Sequence, residues 1–165
     1  MRLSFRIKQH FLNAFREIFV HHHGSLEFRS KVFALVLAAN EETNEKDYEI
    51  IKELSMKIYH DDGDRADLLV MTTKELVSKV KEDNGLDIDT LISHIQKELR
   101  IIPRYAKKID TDILEPLLKV STDKDTISYQ ENIVEFLKTI KNETLQKKKN
   151  QIEESEINLD CKYTK

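Results

Sequence analysis

The sequence predicts an all-α protein that folds as a single helical bundle. The 165 residues include only three glycines and two prolines, so few positions suit the tight turns on which a β-sheet protein depends. Apolar residues recur at helical spacing along most of the chain. The length supports one domain with a substantial core better than two domains.

The first predicted helix runs from about Ser4 to Val20. Its apolar residues Phe5, Leu12, Phe15 and Phe19 share one helical face. We expect residues 1–24 to dock as an amphipathic helix on the body of the protein. The basic residues of the helix would equally suit a partner's groove or peripheral contact with an anionic membrane; they are Arg2, Arg6, Lys8 and Arg16.

Three further helices are predicted in the first half of the chain. Gly24 is expected to end the first helix and Ser25 to cap the second, whose apolar residues surround it almost completely and make it central. An acidic turn at residues 40–44 separates the second helix from a third, which ends near His60. Asp64 is then predicted to cap a fourth helix.

The second half of the chain is predicted to contain three more helices, which brings the total to seven. Asp87 or Asp89 begins the fifth helix, and Asp112, with Glu115 three residues later, begins the sixth. The last helix is predicted from Tyr129 to about Lys149. We expect residues 25–150 to form the helical domain and residues 151–165 a charged, flexible tail.

Two acidic turns repeat the same spacing in the two halves of the sequence. Asn44 is followed three residues later by Asp47, and Ser128 is followed three residues later by Glu131. A capping residue with an acid at this distance is typical of a helix start. The recurrence indicates a pseudo-repeat within the bundle.

This repeated arrangement resembles the tellurite-resistance TerB family and the related N-terminal domain of DnaJ-like membrane co-chaperones, over about Leu26 to Lys141. The resemblance implies a bundle of about seven helices whose acidic loops are linked to divalent cations, in proteins of stress tolerance. It places the family's glutamate on Asp47 and Glu131. It places the family's aspartate on Asn40 and Lys124.

The resemblance makes four acids candidate metal ligands: Asp47, Asp123, Asp125 and Glu131. Asp123 and Asp125 flank Lys124 and could replace the aspartate that it lacks. A hard cation requires several oxygen ligands close together. Because both turns have lost an anionic ligand, we expect no required cofactor and at most weak binding of a divalent cation.

Other functional classes find little support in the sequence. It contains no phosphate-binding loop, nucleophile elbow or His-Glu-x-x-His motif, so no catalytic residues are predicted and we expect no enzyme. The 27 basic and 30 acidic residues nearly balance, which argues against nucleic-acid binding. No apolar stretch is long enough to span a bilayer, and the single cysteine excludes an internal disulfide, so we expect a cytoplasmic protein.

The sequence thus predicts a non-catalytic, cytoplasmic protein-interaction module of the TerB-like kind, linked to metal or tellurite stress. Its partner would be another protein. The alternative is a sensor that binds a divalent cation through the acidic turns between helices.

Overall fold

The computed structural model describes residues 24–40 and 43–163, with side chains described up to residue 157. Within these residues the chain forms seven helices and no strand, which confirms the predicted all-α bundle. The predicted helix before Gly24 lies outside the described residues. The helices are α1 (Gly24–Ala38), α2 (Glu45–Ile58), α3 (Gly63–Lys81), α4 (Ile88–Ile101), a 3-10 helix (Pro103–Lys108), α5 (Thr111–Leu118) and α6 (Lys124–Tyr163).

Helix α1 is the centre of the bundle, as the sequence predicts. It contacts α3, α4, α5, α6 and the 3-10 helix, and its side chains are buried on every side from Val32 to Leu37. Ser25 is itself helical, so the predicted N-cap at this residue is wrong, and the predicted end of the first helix falls outside the described residues. Gly24 permits a close approach, because a β-carbon there would lie 2.5 Å from the hydroxyl oxygen of Tyr105.

Polar contacts along α1 show how the first three helices are arranged. The Ser30 hydroxyl donates to the Leu69 carbonyl at 3.5 Å, and the Lys81 ammonium donates to the Asn40 carbonyl at 2.5 Å. Helices α1 and α3 therefore run in the same direction, and α2, which packs against α3 and α5, runs in the opposite direction. We call the end of the bundle that holds Asn40 and Lys81 the upper end. The end that holds Gly24 is the lower end.

The remaining helices complete the bundle around α1. Helix α4 runs back to the lower end, where Leu99 and Pro103 lie beside Ile140 of α6. Helix α6 starts at the upper end, where the Gln130 amide reaches the Val36 carbonyl. It therefore descends the full height of the bundle and continues beyond the lower end.

Helix α6 is much longer than predicted. It begins at Lys124 rather than Tyr129 and continues to Tyr163 rather than ending near Lys149. No glycine or proline follows Pro116 to stop it, and a Lys149–Glu153 pair at 3.7 Å spans the predicted end. The residues predicted to form a flexible tail are thus helical up to Tyr163. Their side chains are exposed from 151 to 157, which agrees with the expectation that this segment buries little.

Two of the predicted helix caps lie two residues too late in the sequence. Helix α3 is capped by Asp62, whose Oδ1 accepts from the Arg65 N–H at 3.1 Å, and not by Asp64. Helix α5 starts after Asp110 rather than at Asp112. In both turns two aspartates lie two residues apart, and starting after the earlier one adds two residues to the helix, although Asp110 makes no side-chain hydrogen bond to its helix.

Helix α4, the fifth helix in the sequence prediction, begins at Asp87, one of its two predicted caps. Asp87 Oδ1 accepts a hydrogen bond from the Thr90 N–H at 2.6 Å. This bond lowers the pKa of Asp87. None of the helices in the described part of the chain is long and apolar enough to cross a membrane.

Candidate functional site

The turn between α1 and α2 carries the predicted capping box. Asn44 Oδ1 accepts from the Lys46 N–H at 2.9 Å, and Asp47 Oδ2 accepts from the Asn44 N–H at 2.8 Å. Asp47 is fully buried, which is unusual for a capping acid. Its other oxygen, Oδ1, has no hydrogen-bond partner among the described residues.

Two long side chains donate to carbonyls in the last turn of α1 and just beyond it, at the same end of the bundle. The Gln130 amide nitrogen of α6 donates to the Val36 carbonyl at 3.1 Å, and the Lys81 ammonium of α3 donates to the Asn40 carbonyl. A helix C-terminus presents unpaired carbonyls with partial negative charge, which attract such donors. Three helices are therefore joined at one point.

Three buried oxygens in or beside this first turn lack hydrogen-bond partners within the described chain: Asn40 Oδ1, Asp47 Oδ1 and Gln130 Oε1. A buried acceptor without a partner costs about 1–3 kcal/mol. A carboxylate and two amide oxygens are also the ligand types that a hard cation prefers. These three atoms are the structural feature that best fits the predicted cation site.

The second acidic turn differs from its prediction. Asp123 is the cap of α6, and its Oδ2 accepts from the Thr126 N–H at 2.7 Å, a bond that lowers the pKa of Asp123. Ser128 and Glu131 lie inside the helix and are exposed, so the predicted capping box there is wrong. The earlier start of α6 buries Thr126. Burial against the bundle thus outweighs the local signal at Ser128.

The structure does not gather the four predicted metal ligands. Asp47 is buried at the start of α2, whereas Asp123, Asp125 and Glu131 are exposed at the start of α6. Asp123 already accepts a hydrogen bond from the backbone N–H of Thr126. Within the residues described, no three histidine, cysteine, aspartate or glutamate side chains are arranged to hold a metal ion.

A half-buried group of ionisable side chains lies between α1, α2 and α5. Burial lowers the pKa of Arg29, against the opposing influence of Tyr59 and Asp110, and burial raises the pKa of Tyr59. Arg29 also donates to the Lys108 carbonyl at 3.5 Å. The adjoining cavity measures only about 10 Å³, which is room for roughly one water molecule. This cluster is too closed to admit a substrate.

A larger concavity lies at the lower end, between the end of α4 and the part of α6 that leaves the body. We call it the α4–α6 groove, and its volume is about 410 Å³. Its apolar floor is formed by Leu99, Pro103 and Ile140. The other residues that line it are polar or charged: Gln96, Arg100, Glu143, Thr144, Lys147, Lys148 and Gln151.

The charge of the α4–α6 groove is predominantly positive. Arg100, Lys147 and Lys148 face a single acid, Glu143. None of the three cations forms an ion pair with another residue of the described chain. An apolar floor with unpaired cations at its rim is suited to a ligand that carries both apolar and anionic groups.

The groove was not predicted from the sequence, because it depends on α4 and α6 lying side by side. One local signal was available. Ile140, Thr144, Lys147 and Gln151 recur at helical spacing, so they share one face of the last helix. Comparisons with models of known protein families, with curated protein sequences and with solved structures give no significant match.

Proposed function

We propose that this protein is a non-catalytic protein-interaction module whose α4–α6 groove binds an acidic, amphipathic helix of a partner protein. The observation that carries the proposal is the set of unpaired cations, Arg100, Lys147 and Lys148, above an apolar floor. Grooves between helices commonly accept one apolar face of a partner helix.

The chemistry of the groove assigns separate roles to its floor and its rim. Apolar side chains of the partner would cover Leu99, Pro103 and Ile140, and this burial would supply most of the affinity. Carboxylates beside them would meet the cations of the rim. Such rim charges speed association and select the partner more than they strengthen the complex.

We further propose a cytoplasmic, TerB-like role in metal or tellurite stress. This part rests on the resemblance seen in the sequence, and the all-α bundle is compatible with it. The proposed membrane contact of the N-terminal segment remains a prediction, since that segment lies outside the described residues.

The groove is tested with a fluorescein-labelled helical peptide that carries leucines at helical spacing and glutamates on both flanks. Fluorescence anisotropy measures its affinity for the wild type and for R100E/K148E. The control, K46E/K57E, makes the same charge change at exposed lysines of α2, away from the groove. We expect R100E/K148E to weaken binding about tenfold or more, whereas the control binds like the wild type.

Two results would contradict the groove proposal. The first is equal loss of affinity in both variants, because the peptide would then respond to overall charge alone. The second is unchanged affinity in R100E/K148E. Added salt should weaken binding to the wild type, since rim charges are screened by ions.

A divalent-cation sensor is the second candidate, favoured by the unpartnered oxygens of Asn40, Asp47 and Gln130. A cation that binds only the folded protein must raise the melting temperature. Melting is measured with calcium, magnesium, manganese or zinc in wild type, Asp47→Asn and Asp123→Asn. A shift that disappears only in Asp47→Asn would support a site at the first turn. No shift with any of the four ions would exclude it.

A further inference from the structure

The part of α6 that extends beyond the bundle carries exposed apolar side chains. We call residues 149–163 the projecting segment. Within it, Ile152 is 49% exposed and Ile157 is 64% exposed, and at the same lower end Ile101 is 67% exposed. Large aliphatic side chains exposed near one another commonly mark a surface that another segment covers.

The projecting segment is also acidic. Glu153, Glu154 and Glu156 lie between or beside the two isoleucines, with no basic residue from 151 to 157. At roughly 100° per residue, Ile152 and Ile157 point about 140° apart, and Glu153 and Glu156 fall in the arc between them. A complementary surface must therefore present apolar and basic side chains together.

The chain before Gly24 enters the bundle at the same end. Gly24 lies against Tyr105 of the 3-10 helix, and this helix contacts α6. Pro103, two residues before Tyr105, lines the α4–α6 groove beside Lys148. Residues 1–23 are thus tethered next to the place where α6 leaves the body, so their effective concentration there is high.

Residues 1–23 have the composition that the projecting segment requires. They contain four basic residues and one acid, together with the apolar residues Phe5, Leu12, Phe15 and Phe19. Their positive charge is repelled by the cations of the α4–α6 groove and attracted by the glutamates of the projecting segment.

We propose that residues 1–23 dock on the projecting segment of α6 in the same molecule. Their apolar side chains would cover Ile152 and Ile157, and their basic residues would pair with Glu156 and with Glu153, whose contact with Lys149 is long at 3.7 Å. This proposal does not depend on the function assigned to the groove, because the two surfaces carry opposite charge.

The sole cysteine of the sequence, Cys161, permits a direct test in the full chain. A nitroxide spin label on Cys161 broadens the NMR signals of nearby amides. We expect the amide signals of residues 5–19 to lose most of their intensity. E153K/E156K and I152S/I157S should each restore these signals, the first by removing the charge pairing and the second by removing the apolar contact.

The control E131K/E135K makes the same charge change at exposed acids on the upper half of α6 and should leave the broadening intact. Unbroadened signals in the wild type would overturn the proposal. So would broadening that survives both test variants. A sample that mixes spin-labelled chains with isotope-labelled, spin-free chains distinguishes docking between molecules. Strong broadening in that mixture would assign the surface to a second copy and also overturn the proposal.

Discussion

The two acidic turns share one spacing in the sequence, yet their acids have different roles in the structure. In the first turn the predicted capping pair, Asn44 and Asp47, forms as expected, and Asp47 is fully buried. In the second turn the predicted cap, Ser128, is an ordinary exposed position within α6. Asp123, five residues earlier, caps that helix.

The difference shows that packing decides which of several local signals is used. Starting α6 at Lys124 places Thr126 and Gln130 against the bundle, where both are buried. A start at Ser128 would forgo the turn that contains Thr126. The local preference for a cap amounts to only about 1 kcal/mol, so contacts made by one extra buried turn can override it.

The largest expected effect comes from Gln130, whose side chain joins α6 to the end of α1. Gln130→Ala removes the hydrogen bond to the Val36 carbonyl and leaves a void at a fully buried site. We expect the free energy of unfolding to fall by about 2 kcal/mol. Urea denaturation followed by circular dichroism measures the change. Asn132→Ala, an exposed position on the same helix, is the control and should change it by less than about 0.5 kcal/mol.

An unchanged midpoint for Gln130→Ala would mean that α6 is not held to α1 through this amide. The upper end of the bundle would then be looser than the structure indicates. A loss equal to that of the control would lead to the same conclusion.

The next effect concerns the first turn alone. Asp47→Ala removes the acceptor of the Asn44 N–H, and we expect a loss of about 1–2 kcal/mol in the free energy of unfolding. The exposed Glu49 lies two residues later on the same helix, and Glu49→Ala should have little effect. Chemical denaturation of both variants provides the comparison. If Asp47→Ala proved as stable as Glu49→Ala, the buried capping box would contribute nothing.

A smaller effect locates the cap of α6. Asp123→Ala should destabilise the protein less than Asp47→Ala, because the Asp123 side chain is exposed to water whereas that of Asp47 is fully buried. Asp123→Asn should be nearly neutral, since asparagine caps helices equally well. Ser128→Ala should also be nearly neutral, and thermal melting distinguishes the three variants. Greater sensitivity at Ser128 than at Asp123 would place the start of α6 where the sequence pattern first indicated.

A feature could be predicted from the sequence when the residues that determine it lie close together along the chain. The fold class and the central position of α1 were predictable, because they depend on composition and on apolar residues that surround one helix. Asn44 and Asp47 were predictable because both partners lie in one turn. The start of α6 was not, since burial of Thr126 and Gln130 depends on helices far away in the sequence. The α4–α6 groove was missed for the same reason.

The smallest expected effect is the response of the second turn to pH. The Thr126 N–H lowers the pKa of Asp123 in the folded protein. The ionised cap is therefore more stable in the folded state, and this stabilisation is present above the unfolded-state pKa, near 3.9 for an ordinary aspartate. It is lost as the pH falls from about 4 through the lower, folded-state pKa. Asp123→Asn keeps the cap but cannot titrate, so the wild type should lose more stability than this variant between about pH 5 and pH 2. Urea denaturation across this range measures the difference.

Asp87 has its pKa lowered by Thr90 in the same way, so Asp123→Asn should remove only part of the acid sensitivity. Glu131→Gln, at an exposed carboxylate inside the same helix, is the matched control and should follow the wild-type curve. If Glu131→Gln altered the acid response and Asp123→Asn did not, then Glu131, and not Asp123, would be the ionised group that stabilises the start of α6. That result would favour the sequence prediction over the structure.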